Sequence, residues 1–213
     1  MRKYLLFILF CFLSIVGCKS MPDENSRVPH NLLNETKQNF YCHRWADKSD
    51  AFGHLNLSIF TCYSAFGTPP VPCQYAGEWF CTYHFVYDGE SLRIINASSL
   101  RQLAIPINTP RKALDFVKAR LWSKTSYEKH FGNWIYDKDE LIKQGCEKFE
   151  KVNMTNIKEV REGYEVTVLR TIQIQCVPPI LFEEHYLVTR DGAVTTLTKK
   201  EMKYCEGEAK CYD

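Results

Sequence analysis

The pattern of apolar and polar positions divides the 213 residues into an apolar leader, a polar segment and a long mixed region. Residues 4–16 are uncharged and mostly apolar, and they follow Arg2 and Lys3. An apolar segment of thirteen residues behind basic ones is too short to span a bilayer and is typical of a signal peptide. The polar segment continues to about Gln38, and the apolar positions beyond it predict a single globular domain, residues 39–213.

Alternation in the last third of the chain predicts a β-meander. In residues 166–175, one face is aliphatic and consists of Val166, Val168, Ile172 and Ile174. The other face is mostly Thr and Gln, so the pattern predicts a strand with one buried and one wet face. Residues 181–189 and 194–202 predict the next two strands, joined at the hairpin signal Asp191-Gly192. A strand near residues 149–160 is expected to precede them.

A hairpin is predicted before the meander. Residues 80–87 are rich in β-forming side chains, and residues 92–95 can form the return strand. Asp88-Gly89 between them is typical of a type I′ turn.

Two helices are predicted between the hairpin and the meander. Thr109 is a favourable N-cap with Pro110 at the first helical position, and apolar residues follow at helical spacing up to Leu121. A shorter helix is predicted to start at Asp137, where Glu140 completes a capping-box pattern.

The order of these elements predicts an α+β fold in which a helix packs on an antiparallel β-meander. This order resembles that of cystatin-like folds and of periplasmic peptidase-inhibitory folds. The resemblance implies a helix lying across a curved sheet, and it carries no function. The fold is assigned to residues 80–213.

Residues 39–87 are predicted to form a loop-rich lobe stapled by disulfides. Residues 40–87 hold four cysteines and thirteen of the twenty-nine aromatic residues, around the turn sequence of residues 67–72. The rings could form a binding face, because Trp and Tyr dominate interface hot spots, or they could fill the core of the lobe. The candidate rings are Trp45, Tyr63, Phe66, Tyr75, Trp79 and Tyr87. Tyr75 and Trp79 follow the proline-rich turn, so we expect them to be the exposed binding residues.

The leader ends in Ile15-Val16-Gly17-Cys18, which resembles the lipobox of bacterial lipoproteins. The resemblance implies that residues 1–17 are removed and that the Cys18 sulfur carries a diacylglycerol and its amine an acyl chain such as palmitate. Residues 18–38 would then be a lipidated cysteine and a flexible tether. Lys19 favours the outer membrane over the inner one, which places the protein in the cell envelope with its body on the periplasmic side.

A second interpretation is a cleaved secretory signal on a eukaryotic glycoprotein. Asn-x-Ser/Thr occurs at Asn34, Asn56, Asn96 and Asn153. This is more often than chance predicts, and glycans attach to such sites in secreted eukaryotic proteins.

The overall charge of the chain argues against one class of partner, the nucleic acids. The chain has 27 basic and 25 acidic residues, and Arg2 and Lys3 leave with the signal peptide. A neutral body does not attract a nucleic acid in general, so we expect no nucleic-acid partner.

Eight cysteines remain after Cys18: Cys42, Cys62, Cys73, Cys81, Cys146, Cys176, Cys205 and Cys211. An even number in an exported chain predicts four disulfides. Local pairs are favoured, with Cys205 to Cys211 first because few residues separate them. There is no Cys-x-x-Cys, so we expect neither a metal site nor a dithiol redox site.

The sequence contains none of the catalytic motifs that we looked for in their usual spacing. The strongest candidate for a catalytic group is Glu183-Glu184-His185. On a strand Glu183 and His185 share a face, where a carboxylate beside a histidine could transfer protons as in a hydrolase. The favoured alternative is a solvated strand face. We therefore expect a non-enzymatic binding or structural module with no cofactor. Its partners would be the membrane, through the lipid anchor, and an envelope protein, peptide or glycan.

Overall fold

Two antiparallel sheets and several helices make up the part of the chain that the computed structural model describes, residues 28–65, 75–76, 80–123, 133–149, 151–172 and 177–206. Each sheet has five strands. The fold is α+β, as predicted. Cys18 and its lipobox lie outside the described residues.

A helix that the sequence did not predict comes first. Helix α1, His30–Asn39, lies in the range assigned to the flexible tether. Its residue Leu33 is buried together with Val28, and both pack against the first sheet. The folded part therefore begins by Val28 rather than at residue 39. The pattern was weak because most of the helix is polar, and tertiary packing stabilises such short helices more than propensity does.

The first sheet occupies the region predicted to be a loop-rich lobe. Its strands are β1 Cys42–Asp47, β2 Ser58–Ala65, β3 Tyr75–Ala76, β4 Phe80–Tyr87 and β5 Leu92–Ile94, with the 3₁₀ helix Ser49–Leu55 between the first two. The order is β1-β2-β4-β3, and β5 also pairs with β4. Strands β2 and β4 pair from Ser58↔Tyr87 to Ala65↔Phe80. The described part of the lobe is therefore mostly regular sheet rather than loop.

The hairpin of β4 and β5 is confirmed, but its turn is not of the predicted kind. Four residues, 88–91, connect the strands, and Gly89 has a φ of +102° while Asp88 has no positive φ. A type I′ turn needs positive φ at both central residues. The Asp88 carboxylate instead accepts hydrogen bonds from the backbone N–H groups of Glu90 and Ser91.

Two helices link the sheets, α2 Ala97–Ala104 and α3 Pro110–Trp122. The predicted cap of α3 is confirmed, because the Thr109 hydroxyl accepts a hydrogen bond from the Lys112 N–H at 3.2 Å. The apolar stripe of α3 is buried, including Phe116 and Val117.

The second sheet contains the predicted meander. Its strands are β6 Asn133–Trp134, β7 Asn156–Val160, β8 Gly163–Ile172, β9 Ile180–Thr189 and β10 Val194–Tyr204. The order is β10-β9-β8-β6, with β7 also on β8. Gly163 starts β8 with a φ of +155°, and a Cβ there would lie 2.1 Å from the Val188 carbonyl oxygen. A side chain at this position is therefore excluded.

Helix α3 and both sheets share one apolar core. It joins Ile59 and Val86 of the first sheet, Phe116 of α3, and Val166 and Val188 of the second. Burial of apolar surface across this core is the main force that holds the sheets together.

The other face of the meander is not wet along its whole length. Leu169 of β8 and Leu181 of β9 are fully buried there under Ile135 and Leu141. Helix α4, Lys138–Lys143, carries Leu141, and the Asp137 carboxylate caps it as predicted. The prediction of one wet face is thus wrong at this end of the sheet, because a segment distant in sequence covers it.

Two disulfides clamp the described residues. Cys42–Cys62 joins β1 to β2, and Cys146–Cys205 joins the segment after α4 to the end of β10. Cys81 is disulfide-bonded as well. The predicted Cys205–Cys211 pair is wrong, since Cys205 bonds a cysteine 59 residues away. The predicted residues Cys73, Cys176 and Cys211 lie outside the described part of the chain.

Candidate functional site

Glu183 and His185 lie on the same face of β9, as the strand period predicted, and they contact each other. His185 Nε2 is 3.0 Å from Glu183 Oε1. Asn153 Nδ2 donates to the same oxygen at 2.9 Å, and the Thr167 hydroxyl lies 3.2 Å from His185 Nδ1. The prediction of a solvated face is wrong, because Glu183 is only 9% exposed.

The hydrogen bonds keep the Glu183 carboxylate ionised. Burial raises the pKa of Glu183, but the hydrogen bonds from Asn153 and His185, and the charges of His185 and Lys200, outweigh burial and leave the pKa below its ordinary value. A carboxylate with a lowered pKa carries no proton at neutral pH. It can therefore accept hydrogen bonds or balance a cation, and it is poorly suited to act as a general acid.

A depression with a volume of about 600 Å³ opens beside Glu183. One wall comes from the 3₁₀ helix Glu147–Phe149 and the residues after it, and the other from β10. Its cations are Lys148, Lys151 and Lys200, and its apolar surface consists of Phe149, Val152 and Met202. The volume is in the usual range of small-molecule sites, which is about 300–1,000 Å³.

Glu184, on the opposite face of β9, forms a buried ion pair. Arg170 Nε donates to Glu184 Oε2 at 3.1 Å, and Lys199 Nζ lies 3.2 Å from the other oxygen. Burial raises the pKa of Glu184, but the Arg170 and Lys199 charges outweigh it and lower the pKa below its ordinary value. Burial and the neighbouring Glu184 carboxylate raise the pKa of Tyr186, so its hydroxyl stays neutral and bonds Glu184. This cluster ties β8, β9 and β10 to one another.

A second histidine–carboxylate pair was missed in the sequence. Asp115 of α3 is buried, and its Oδ2 lies 2.8 Å from His54 Nδ1 and accepts the His54 backbone N–H at 3.0 Å. Lys118 Nζ lies 3.9 Å from the other oxygen of Asp115. The pair joins α3 to the end of the 3₁₀ helix of the first sheet. Because 61 residues separate the partners, no local pattern could have found it.

We expect that Asp115→Ala lowers the free energy of unfolding by about 2 kcal/mol. The substitution removes a buried carboxylate that accepts two hydrogen bonds. A hydrogen bond to a charged group contributes at most about 1.5–3 kcal/mol. The half-exposed His54 ring regains water, which keeps the loss near the lower end. Urea unfolding measures the change.

The control for this prediction is Glu35→Ala, an exposed carboxylate on helix α1. It should change stability by less than about 0.5 kcal/mol, as exposed substitutions usually do. Equal losses for both variants would contradict a structural role for the Asp115 pair.

His84 packs in the core, as predicted. Its ring lies 3.9 Å from that of Trp122, and its Nδ1 is 3.3 Å from the Thr61 hydroxyl. Within the described residues, no group of three or more His, Cys, Asp or Glu side chains could hold a metal ion. None of the described helices is long and apolar enough to cross a membrane.

The described rings of the proposed aromatic binding face belong to a core instead. Trp45 stacks on Phe60 and Phe85, with ring centroids 5.3 and 5.8 Å apart. Tyr63 is buried under the Arg44 guanidinium. The interpretation that these rings fill the lobe is thus correct for Trp45 and Tyr63.

The two rings predicted to be exposed, Tyr75 and Trp79, are not among the described side chains. Trp79 and the side chain of Tyr75 lie outside the described residues, as does Phe66. A binding role for Tyr75 and Trp79 stays a prediction.

No protein-family model matches this chain, and no curated protein or solved structure is significantly similar to it. The resemblance to cystatin-like folds therefore rests on the order of elements alone.

Proposed function

We propose that this chain is a lipid-anchored protein of the bacterial cell envelope, and that its folded body is a binding module rather than an enzyme. The observation that carries export is the pair of disulfides, Cys42–Cys62 and Cys146–Cys205. Disulfides persist in oxidising compartments such as the periplasm and are rare in the cytosol. They support the interpretation of the apolar leader as a signal peptide.

The proposed anchor is Cys18, and the outer membrane is the proposed location. Val28, the start of the described fold, comes ten positions after Cys18. A chain of ten residues spans at most about 35 Å, so the body would stay close to the membrane surface. The proposed partner is another envelope protein, a peptide or a glycan within that reach.

The state of Glu183 fits a binding role. Its carboxylate is ionised, and one oxygen already accepts hydrogen bonds from Asn153 and His185. A hydrolase using Glu183 and His185 is the second candidate, because the two side chains contact each other beside a depression. An activity that His185→Ala abolishes in a folded protein would favour that candidate.

The intact mass of natively produced protein tests the anchor. We expect a mass that starts at Cys18 and includes a diacylglycerol and one further acyl chain, and we expect the protein in the membrane fraction. Cys18→Ser should remove the lipid mass and release the protein from membranes. Cys81→Ser, as a control, should leave the lipid mass unchanged.

A lipid-free mass with hexose heterogeneity would contradict the anchor and favour the secreted glycoprotein. One observation favours that alternative. The asparagines of all four Asn-x-Ser/Thr sites, Asn34, Asn56, Asn96 and Asn153, are exposed, although the Nδ2 of Asn153 donates to Glu183.

A further inference from the structure

Helix α1 is joined to β1 through one strained backbone position. Tyr41 has a φ of +50°, in the left-handed region that bulky side chains rarely adopt and that glycine adopts freely. Both neighbours of Tyr41 are fixed. The centroid of the Phe40 ring lies 4.9 Å from that of Tyr83, and Cys42 is bonded to Cys62. The Tyr41 side chain is 61% exposed, so its packing does little to offset the strain.

Helix α1 is also a unit that can leave the rest of the fold intact. Its contacts are mainly with β1 and β5 of the first sheet. Among the described residues, the core that joins α3 to both sheets contains none from α1. The helix has ten residues, of which Leu33 and Thr36 are buried, and its N-cap residue Pro29 makes no side-chain hydrogen bond. A helix this short is marginal on its own, so it opens at a lower free energy than the whole domain.

Opening of α1 would uncover an apolar face of the first sheet. Val28 and Leu33 pack on this face in the closed chain. The face includes the rings of Phe60, Tyr83 and Phe85. Exposure of these rings to water is unfavourable, so the face requires a cover. The surface that the structure shows to fit it is α1 itself, and the same helix of a second copy can make identical contacts.

We propose that two copies of this chain exchange residues 28–40, so that α1 of each copy packs on the first sheet of the other. Such a dimer keeps the contacts of the closed chain, and the connection at Tyr41 changes from the left-handed region to extended backbone. Exchange of an element between identical chains is favoured where the connection is short and strained. The inference goes beyond the proposed binding function and adds a second copy of the chain as a partner.

Substitutions of Tyr41 should shift the equilibrium between monomer and dimer in opposite directions. The parent is the mature chain, residues 18–213, with Cys18→Ser so that it carries no lipid. Tyr41→Gly relieves the strain of the closed chain and should raise the dimer dissociation constant at least about tenfold, because both connections of the dimer lose the same driving force. Tyr41→Pro cannot adopt a positive φ and should give mostly dimer. Light scattering after size exclusion, over a range of concentrations, measures both effects.

The matched control is Asn56→Gly. Asn56 follows the 3₁₀ helix Ser49–Leu55 and also has a positive φ, +55°, but it does not connect the exchanged helix to the sheet. Its substitution relieves strain of the same kind at a different place. It should therefore leave the dimer dissociation constant within about twofold.

Mixed labelling distinguishes exchange of α1 from any other kind of dimer. Lys37 of α1 lies over the Trp45 ring of β1, and Lys48 directly follows β1, so we expect an amine-reactive cross-linker to join the two lysines. A dimer refolded from equal amounts of chains with natural and with heavy nitrogen should contain Lys37–Lys48 links between differently labelled peptides. A dimer without exchange gives these links within one label alone.

Three results would overturn the proposal. They are a parent that stays monomeric after refolding at its highest soluble concentration, a dissociation constant that Tyr41→Gly leaves unchanged, and a dimer whose Lys37–Lys48 links all lie within one label. Equal weakening of the dimer by Tyr41→Gly and Asn56→Gly would contradict it as well. Circular dichroism establishes that each variant is folded, and the lipid anchor is tested separately by the intact mass.

Discussion

Replacing Glu184 by alanine should lower the free energy of unfolding by about 3–5 kcal/mol, the usual loss when one partner of a buried ion pair is removed. Glu184 is fully buried, and its partner Arg170 is only 5% exposed. Without Glu184, the Arg170 guanidinium stays in the core and loses the carboxylate of the buried pair. Tyr186 loses the acceptor of its hydroxyl as well.

An exposed pair of the same residue types is the control for Glu184. Arg190 Nη2 lies 2.8 Å from Glu159 Oε1, and both side chains are half exposed. Glu159→Ala should lower stability by less than about 1 kcal/mol. If the two alanine variants unfold at the same urea concentration, burial does not increase the loss of stability when the Glu184 ion pair is broken.

The double variant Arg170→Met/Glu184→Leu separates pairing from burial. Replacing both charges by apolar side chains of similar volume is often neutral or stabilising. We expect the double variant to regain at least half of the stability that Glu184→Ala loses. The remainder reflects the Tyr186 hydroxyl, which still lacks its acceptor.

Acid should destabilise the protein through the same group. The pKa of Glu184 is lowered in the folded state, so its contribution is fully present above the pKa of an unfolded glutamate, about 4.3. The contribution is lost as the pH falls through the folded pKa. Glu184→Gln should therefore lose less stability between pH 5 and pH 3 than the unsubstituted protein does.

Local sequence signals were enough for the meander of the second sheet and for helix α3, but not for β6. The cap at Thr109 and the alternation around Val166 each involve residues that are close in sequence. A local sequence pattern can therefore predict them. In the first sheet, the hairpin of β4 and β5 gave such a pattern, but β1 and β2 did not. In β2, both faces are buried, with Ile59 and Thr61 on one face and Phe60 on the other, so apolar and polar side chains do not alternate with burial.

The candidate site was predictable only within one strand. Glu183 and His185 are two residues apart, and the strand period places them on one face. Thr167 reaches His185 through the register of β8 against β9, and Asn153 arrives from a segment before β7. Neither strand register nor contacts between distant segments can be predicted from a single sequence. The depression was not predicted for the same reason.

Burial of Glu184 was unpredictable for a related reason. A charged residue is almost never fully buried unless it is paired, and the pairing with Arg170 depends on strand register. Cys205 behaves in the same way. Sequence distance favoured Cys211, but the end of β10 lies beside the segment after α4, which brings Cys146 to it.

Removing the Cys146–Cys205 disulfide should lower the free energy of unfolding by about 4 kcal/mol, and removing Cys42–Cys62 by about 3 kcal/mol. The order follows from the loops that the bonds close, since the partners are 59 residues apart in the first pair and 20 in the second. A longer loop loses more conformational entropy in the unfolded chain when it is closed. Urea unfolding of the two double Cys→Ser variants measures both losses.

The contrast between the two double variants tests the loop-length argument directly. A smaller stability loss for Cys146→Ser/Cys205→Ser than for Cys42→Ser/Cys62→Ser would contradict it, because the first pair closes the longer loop.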